Sequence, residues 1–392
     1  MPDGPEDRSR TPLSGREGTS SKAQSGFAPL VSRCALLKSR LDTLELCALS
    51  SRKGEGNPSV RVPCSFDLGV NTGCNSRCRY CSFWRQDHQD LAFELIRKFF
   101  RGIVALGGRG PTVNVVGGEP TMRDDLPLIL AEGTGLGLNM VVTSNGYRLA
   151  ENAYARQVVG AGISQVVLSL DGFEQTNDEL RREGGYRLVR AALATIRDLA
   201  PGVNLGLLSV VSGRNISELP DFIEEMLEGG VVDNITLQAL TNDLGSTPDT
   251  PWYLSNPLWP SNLDEVEEKL EAIARMSEIS GGKLRTSPGQ IRFWKHYFRE
   301  PARVLQVRPC SIGDTFLGCN PQGNIVLCPF LPPVGSLVSD NVLDCFYSAA
   351  ADQRRAEIAV CRSACNFTVN CRYELLSGAA SFRGEKREHQ SV

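Results

Sequence analysis

The chain has 392 residues, 41% hydrophobic and 22% charged, which is enough length for more than one unit and enough apolar material for a sizeable core. A formal net charge of −3 excludes a broad basic surface for nucleic acid, and no apolar run is long enough to cross a membrane. No charged-then-apolar leader is visible, so a reducing cytoplasm is the expected compartment, where thirteen cysteines read as metal ligands or buried thiols rather than a disulfide frame.

Residues 1–30 are rich in Pro, Gly, Ser, Arg and Glu and are expected to be a disordered tail. Residues 31–60 follow as a helix and linker, with Leu36, Leu37, Leu41, Leu44 and Leu49 at helical spacing. An apolar strand is predicted at 66–70. From 112 onward the pattern alternates, with strands at 112–116, 139–143, 165–170, 203–211 and 234–239 and helices at 124–132, 149–161, 186–199 and 216–228. Such alternation predicts a parallel sheet with crossover helices on its outer face, an α/β core at 61–240 with six strands. Short polar or glycine-rich segments close three of the strands: Gly117-Gly118-Glu119-Pro120, Ser144-Asn145-Gly146 and Ser169-Leu170-Asp171-Gly172. In α/β barrels ligands gather at the carboxyl ends of the strands, so these segments are expected on one rim. Residues 241–300 read as a closing segment, with Trp252 and Trp259 in an ordered loop, a helix at 263–280, and an aromatic patch around His296, itself read as packed.

The run Cys74-Asn-Ser-Arg-Cys78-Arg-Tyr80-Cys81 lies just after the first strand, and the next cysteine is Cys310. Three thiols this close cannot all pair as disulfides. Structural zinc wants four ligands, whereas a [4Fe–4S] cluster on three cysteines leaves one iron open; both metals remain open on spacing alone.

This C-x3-C-x2-C run, with an aromatic before the last cysteine and a G-G-E-P segment one strand later, resembles the signature of the radical S-adenosylmethionine (SAM) superfamily. The resemblance implies a partial (β/α)6 TIM-like barrel in which Cys74, Cys78 and Cys81 hold a [4Fe–4S] cluster that binds SAM. It further implies reductive cleavage of SAM to a 5′-deoxyadenosyl radical, an electron donor such as flavodoxin or ferredoxin, and SAM contacts from Tyr80, Gly117, Gly118, Glu119, Pro120, Ser144, Asn145, Ser169 and Asp171. The segment after strand four also resembles that of peptide- and sugar-modifying members, but Asn177 stands where a His is usual and takes no role from it.

Seven cysteines fall between Cys310 and Cys371, so 301–376 reads as a small cysteine-rich C-terminal extension, followed by a polar tail at 377–392. The stretch from Cys319 through Gly323 to Cys328 predicts a hairpin that would bring two thiols together. The region resembles the SPASM and Twitch extensions, which implies one or two auxiliary [4Fe–4S] clusters held by Cys310, Cys319, Cys328, Cys361, Cys365 and Cys371. Cys345 is poorly placed by motif, and a zinc ribbon is the alternative. Together these expectations describe a radical SAM oxidoreductase acting on a carbohydrate-like or other small metabolite. A peptide maturase forming a crosslink or an epimer is the alternative, followed by a non-catalytic metal-binding scaffold. No catalytic acid, base or hydrogen donor is assigned.

Overall fold

The computed structural model describes residues 62–107, 110–243, 251–301, 310–361, 363 and 365. The tail expected at 1–30, the helix and linker at 31–60, Cys371 and the tail at 377–392 lie outside the described residues. Six strands, β1 (Ser65–Gly69), β2 (Thr112–Val116), β3 (Asn139–Ser144), β4 (Gln165–Ser169), β5 (Asn204–Val211) and β6 (Asn234–Ala239), pair in parallel and in sequence order. The helices between them are α1 (Phe93–Gly107), α2 (Leu126–Gly135), α3 (Asn152–Gly160), α4 (Glu174–Leu180), α5 (Gly185–Leu199) and α6 (Leu219–Glu228). This is the parallel sheet the alternation predicted, in the partial barrel the resemblance implied, and every predicted strand is present within a residue at each end.

Each strand carries one mainly apolar row and one mixed row, the apolar row being broken only by Ser144 in β3 and Ser209 in β5. Phe66, Val113, Met140, Val166, Leu205 and Ile235 are buried, and Gly133 of α2 sits so close to the Met140 sulfur that this row must face the helices. The helices answer with residues at i, i+3, i+4 and i+7: Ile96, Phe99, Phe100 and Ile103 on α1, Val189, Ala192, Leu193 and Ile196 on α5, and Leu219, Phe222, Ile223 and Met226 on α6. Each such large side chain contributes about 1.5–3 kcal/mol by leaving water. The other row is partly polar. Thr143 Oγ1 donates to Asn114 Oδ1 at 2.8 Å, and Asn114 Nδ2 donates to Asp67 Oδ1 at 3.5 Å.

The closing segment continues with α7 (Leu263–Ile279) and α8 (Pro288–Arg299). Trp252, Trp259 and Tyr297 pack edge to face at 5.3–5.4 Å, and Gly213, past the end of β5, donates to Leu258 O at 2.8 Å, so this loop is ordered against the strand ends. His296 is exposed on α8, not packed as expected, because the helix buries Trp294 and Tyr297 on its other face.

A short helix α9 (Ile312–Thr315) leads into β7 (Phe316–Cys319), β8 (Asn324–Val326) and β9 (Gly335–Ser336), then α10 (Val342–Phe346) and α11 (Ala349–Ala359). The sequence did not indicate that β7 would join the barrel sheet. It pairs in parallel with β1, Leu68 opposite Cys319, and β8 and β9 extend the sheet antiparallel beyond it. Among the described residues no helix is long and apolar enough to cross a membrane.

Burial raises the Asp67 carboxyl from 3.8 to about 6, against a weak opposing hydrogen bond from Asn114. Between these values the folded chain holds a proton that the unfolded chain releases, so stability falls as pH rises through this window and stays lower above it. Asp67→Asn is therefore expected to raise stability at pH 7 by at most about 3 kcal/mol and to leave it unchanged near pH 4, as read by urea unfolding at the two pH values.

Candidate functional site

The cysteine loop is stapled at its base before it reaches the thiols. Val70 N donates to Val116 O at 2.9 Å and accepts Leu91 N on its carbonyl at 2.9 Å, while Thr72 is bonded to both Asp87 O and Gln89. Asn71 and Asp90 face each other across the neck. The G-G-E segment then docks on this base. Gly118 N donates to Asn71 O and Glu119 N to Gly73 O, both at 2.8 Å, and Asn71 Nδ2 returns to Glu119 O at 2.8 Å. A Cβ on Gly118 would lie 2.2 Å from Gly73 O, and Gly117, at φ 146, would place one 2.5 Å from Asn71 O. The close approach these glycines permit is thus backbone to backbone, with two of the segment's N–H groups bonded to the cysteine loop.

Glu119 is the anchor of the rim. It is buried, and burial raises its pKa against four hydrogen bonds that favour the carboxylate. Oε1 accepts from Thr121 N, Thr121 Oγ1 and Ser144 Oγ at 3.0, 2.6 and 2.6 Å, and Oε2 accepts from Asn145 N at 2.7 Å. Pro120 opens the single helical turn at 120–122 that presents Thr121. Asn145 Nδ2 reaches the cysteine loop at Asn75 Oδ1, 2.6 Å away. The end of β3 is therefore tied to both segments.

From β4, Asp171 is fully buried and its carboxylate is surrounded. Oδ1 accepts from Val210 N at 2.8 Å and Arg181 Nη2 at 3.1 Å; Oδ2 accepts from Arg181 Nε at 2.6 Å and Tyr80 Oη at 2.5 Å. Asn177, without a role in the sequence reading, accepts from Asp171 N at 3.1 Å. Of the residues expected to touch SAM, Tyr80, Glu119, Ser144, Asn145 and Asp171 thus make hydrogen bonds that hold the rim together. Ser169, buried at the end of β4, enters no side-chain hydrogen bond among the described residues. The sequence reading missed Thr241 and Asn242, just after β6, which are buried with Thr241 Oγ1 and Asn242 Nδ2 lacking hydrogen-bond partners among the described residues. Polar side chains at the carboxyl end of a barrel strand stand where ligands gather, and counting strands to the sixth would have drawn attention to them.

Cys74, Cys78 and Cys81 are partly buried and form no disulfide. Burial pushes the Cys74 thiol up to about 11 and Cys81 up to about 12, so anionic sulfur there requires a compensating cation. Among the described residues no three His, Cys, Asp or Glu side chains converge on a single point for one metal ion. Three thiols in one loop, none of them in a disulfide, are the donor set of a [4Fe–4S] cluster in which each thiolate binds a different iron and one iron stays open.

The C-terminal thiols divide into two sets. Cys310, before α9, Cys328, after β8, and Cys361, after α11, lie within electrostatic reach of one another; burial is the main cause raising Cys310 to about 11 and also raises Cys328. Cys365 lies close behind Cys361 in the chain, its N–H donating to Ser363 O. Cys319 stands apart. The predicted hairpin is present, but its register sets Cys319 opposite Ile325, which carries Cys328 past it. The thiol neighbour of Cys319 is Cys345 on α10, and both are buried.

Four substitutions probe these placements. Gly118→Ala should displace the cysteine loop and lower iron bound on anaerobic reconstitution by about four atoms per chain, the content of one [4Fe–4S] cluster. Cys328→Ala or Cys361→Ala should remove a similar amount from the C-terminal set, whereas Cys319→Ala should leave iron content unchanged and cost only core packing, about 1 kcal/mol.

Residues 69–226 match the Radical SAM superfamily. Fe-coproporphyrin III synthase of Methanosarcina barkeri is 30% identical over 159 residues, 39% of each chain. PqqA peptide cyclase of Xanthomonas campestris pv. campestris is 26% identical over 304 residues, 73% of this chain and 72% of that protein. This chain spans between 34% and 65% of the length of the first curated relatives it matches. The crystal structure of Streptococcus suis SuiB bound to S-adenosylmethionine shares the fold, with a TM-score of 0.60 at 14% identity over 81% of this chain and 75% of that one. SuiB bound to precursor peptide SuiA gives 0.57 at 13% identity over 92% and 81%. For the superfamily that residues 69–226 match, the expected cofactors are SAM and a [4Fe–4S] cluster. The stretch that resembles the Radical SAM superfamily thus holds the cysteine loop and strands β2 to β5, and the likeness in fold extends beyond it.

Proposed function

We propose that this protein is a radical SAM oxidoreductase that modifies a peptide, forming a new bond at an unactivated C–H position in a net two-electron oxidation. The observation that carries the peptide reading is the span of the likeness. The match to PqqA peptide cyclase runs over 73% of the chain, while that to Fe-coproporphyrin III synthase covers 39%. This moves the preferred substrate away from the small metabolite that the sequence favoured.

Cys74, Cys78 and Cys81 would hold the SAM-binding cluster, and Cys310, Cys328 and Cys361, with Cys365 beside them, an auxiliary one. When bound, these groups supply hydrogen-atom abstraction through reductive cleavage of SAM and an acceptor for the electron left on the substrate. The protein's own part is positioning and exclusion. Glu119 fixes the rim, Ser169, Thr241 and Asn242 offer polar atoms to what binds there, and the ordered loop around Trp252 and Trp259 limits solvent access. A flavodoxin- or ferredoxin-type protein would supply the reducing electron.

Anaerobically reconstituted protein with SAM and dithionite should release 5′-deoxyadenosine, and Cys74→Ala should lower that release at least about 100-fold. With a pool of synthetic peptides, mass spectrometry should find products lighter by two hydrogens. Products of unchanged mass carrying one deuterium from heavy water would replace oxidation by epimerisation. Turnover of polyols with no modified peptide would sink the peptide reading.

A further inference from the structure

Cys78 has a cation beside it that the assigned motifs do not include. Arg181, just past α4, is 7% exposed, and its guanidinium is divided between two duties. The Nε and Nη2 edge forms a two-point pair with Asp171, at 2.6 and 3.1 Å, leaving Nη1 to face Cys78 Sγ at 3.9 Å. The carboxylate is itself fixed by Tyr80 Oη and Val210 N, and its backbone by Asn177 and Asn215. The guanidinium therefore cannot turn without breaking a buried ion pair.

The same residue holds the loop through its backbone. Arg77 N donates to Arg181 O at 3.1 Å, Arg79 N to Leu180 O at 2.9 Å, and Ser76 Oγ to Arg181 O at 3.3 Å. Ser76 also touches two of the sulfurs: its N–H donates to Cys74 Sγ at 3.4 Å, and its hydroxyl lies 3.3 Å from Cys78 Sγ. Cys78 is thus the thiol with both a hydroxyl and a permanently charged guanidinium turned toward it.

We infer that Arg181 is a positioning residue that sets the reduction potential of the cluster held by Cys74, Cys78 and Cys81. The inference rests on that cluster assignment. Reduction adds negative charge to the cluster and its thiolates, so a fixed cation beside one sulfur favours the reduced form and raises the potential. Asp171 offsets part of this field, but it pairs with the edge of the guanidinium that does not face the sulfur. Its role is to aim the charge.

Removing Arg181 alone leaves Asp171 buried and uncompensated, which threatens folding. The informative pair is therefore the neutral double variant Asp171→Asn/Arg181→Gln, which keeps a hydrogen-bonded pair without charge, and Arg181→Lys, which keeps the charge. To isolate the first cluster, each is made in a Cys328→Ala/Cys361→Ala background. Iron content and electron paramagnetic resonance of the reduced protein are measured across a potentiometric titration. The double variant is expected to keep its iron but to show about a tenfold lower ratio of reduced to oxidised cluster at a given potential, about 59 mV for a one-electron couple, while Arg181→Lys stays near the parent. An unchanged midpoint in an iron-replete double variant would overturn the inference. So would loss of iron in the double variant with retention in Arg181→Lys, since Arg181 would then be only a structural strap. Absence of any reduced-cluster signal in the parent itself would instead refute the cluster assignment at the cysteine loop.

Discussion

The site depends on how closely two stretches of backbone can approach. Gly117 and Gly118 lie directly on Asn71, Thr72 and Gly73, with ideal Cβ positions only 2.2–2.5 Å from carbonyl oxygens. No side chain fits there, so the end of β2 and the base of the cysteine loop share their hydrogen-bonding groups. That contact fixes where the loop leaves the sheet and so where three thiols stand over the barrel. Glu119 extends the constraint sideways, since the carboxylate it places beneath the rim is bonded by the next strand end at Ser144 and Asn145.

A second support reaches the loop from β4. Residues 180 and 181 accept N–H groups from 77 and 79, and the Asp171 to Arg181 pair anchors that arm in the barrel wall. The cysteine loop is therefore held on two sides, by glycine backbone at its base and by a buried ion pair near its tip. A third contact comes from the C-terminal hairpin. Pro321 packs 3.1 Å from an ideal Cβ on Gly69, and Gln322 Nε2 donates to Gln89 Oε1. The pairing of β7 with β1 puts this hairpin at the same rim, which draws the C-terminal region toward the first set of thiols.

The parts legible in the sequence were those governed by local pattern. β2 and β6 were read to the residue, because apolar alternation and a following glycine or polar cluster are written in consecutive positions. The C-x3-C-x2-C loop and G-G-E-P were legible for the same reason. What stayed hidden depends on pairing across distance. That β7 would lie beside β1 is a choice of sheet edge that no local run encodes, and the separation of Cys319 from Cys328 follows from a hairpin register set partly by Gly323 at φ 80. Arg181 stood in the segment after strand four but was given no role, because nothing in the chain near it announces a sulfur more than a hundred residues away. Asn177 was judged by the His it lacks, although its amide serves as an acceptor for the backbone of Asp171.

The setting of Asp171 links these threads. A carboxylate at the end of β4 was expected to touch the cofactor directly, yet its oxygens accept four hydrogen bonds from the protein, and it is fully buried. A buried carboxylate so surrounded is better placed to aim other groups than to bind a ligand. It holds the phenol of Tyr80, inside the cysteine motif, and the guanidinium of Arg181, which faces the central thiol. The strand end thus acts through residues belonging to other elements. Motif matching finds the carboxylate but not the groups through which it works, and those groups carry the charge that reaches the sulfur.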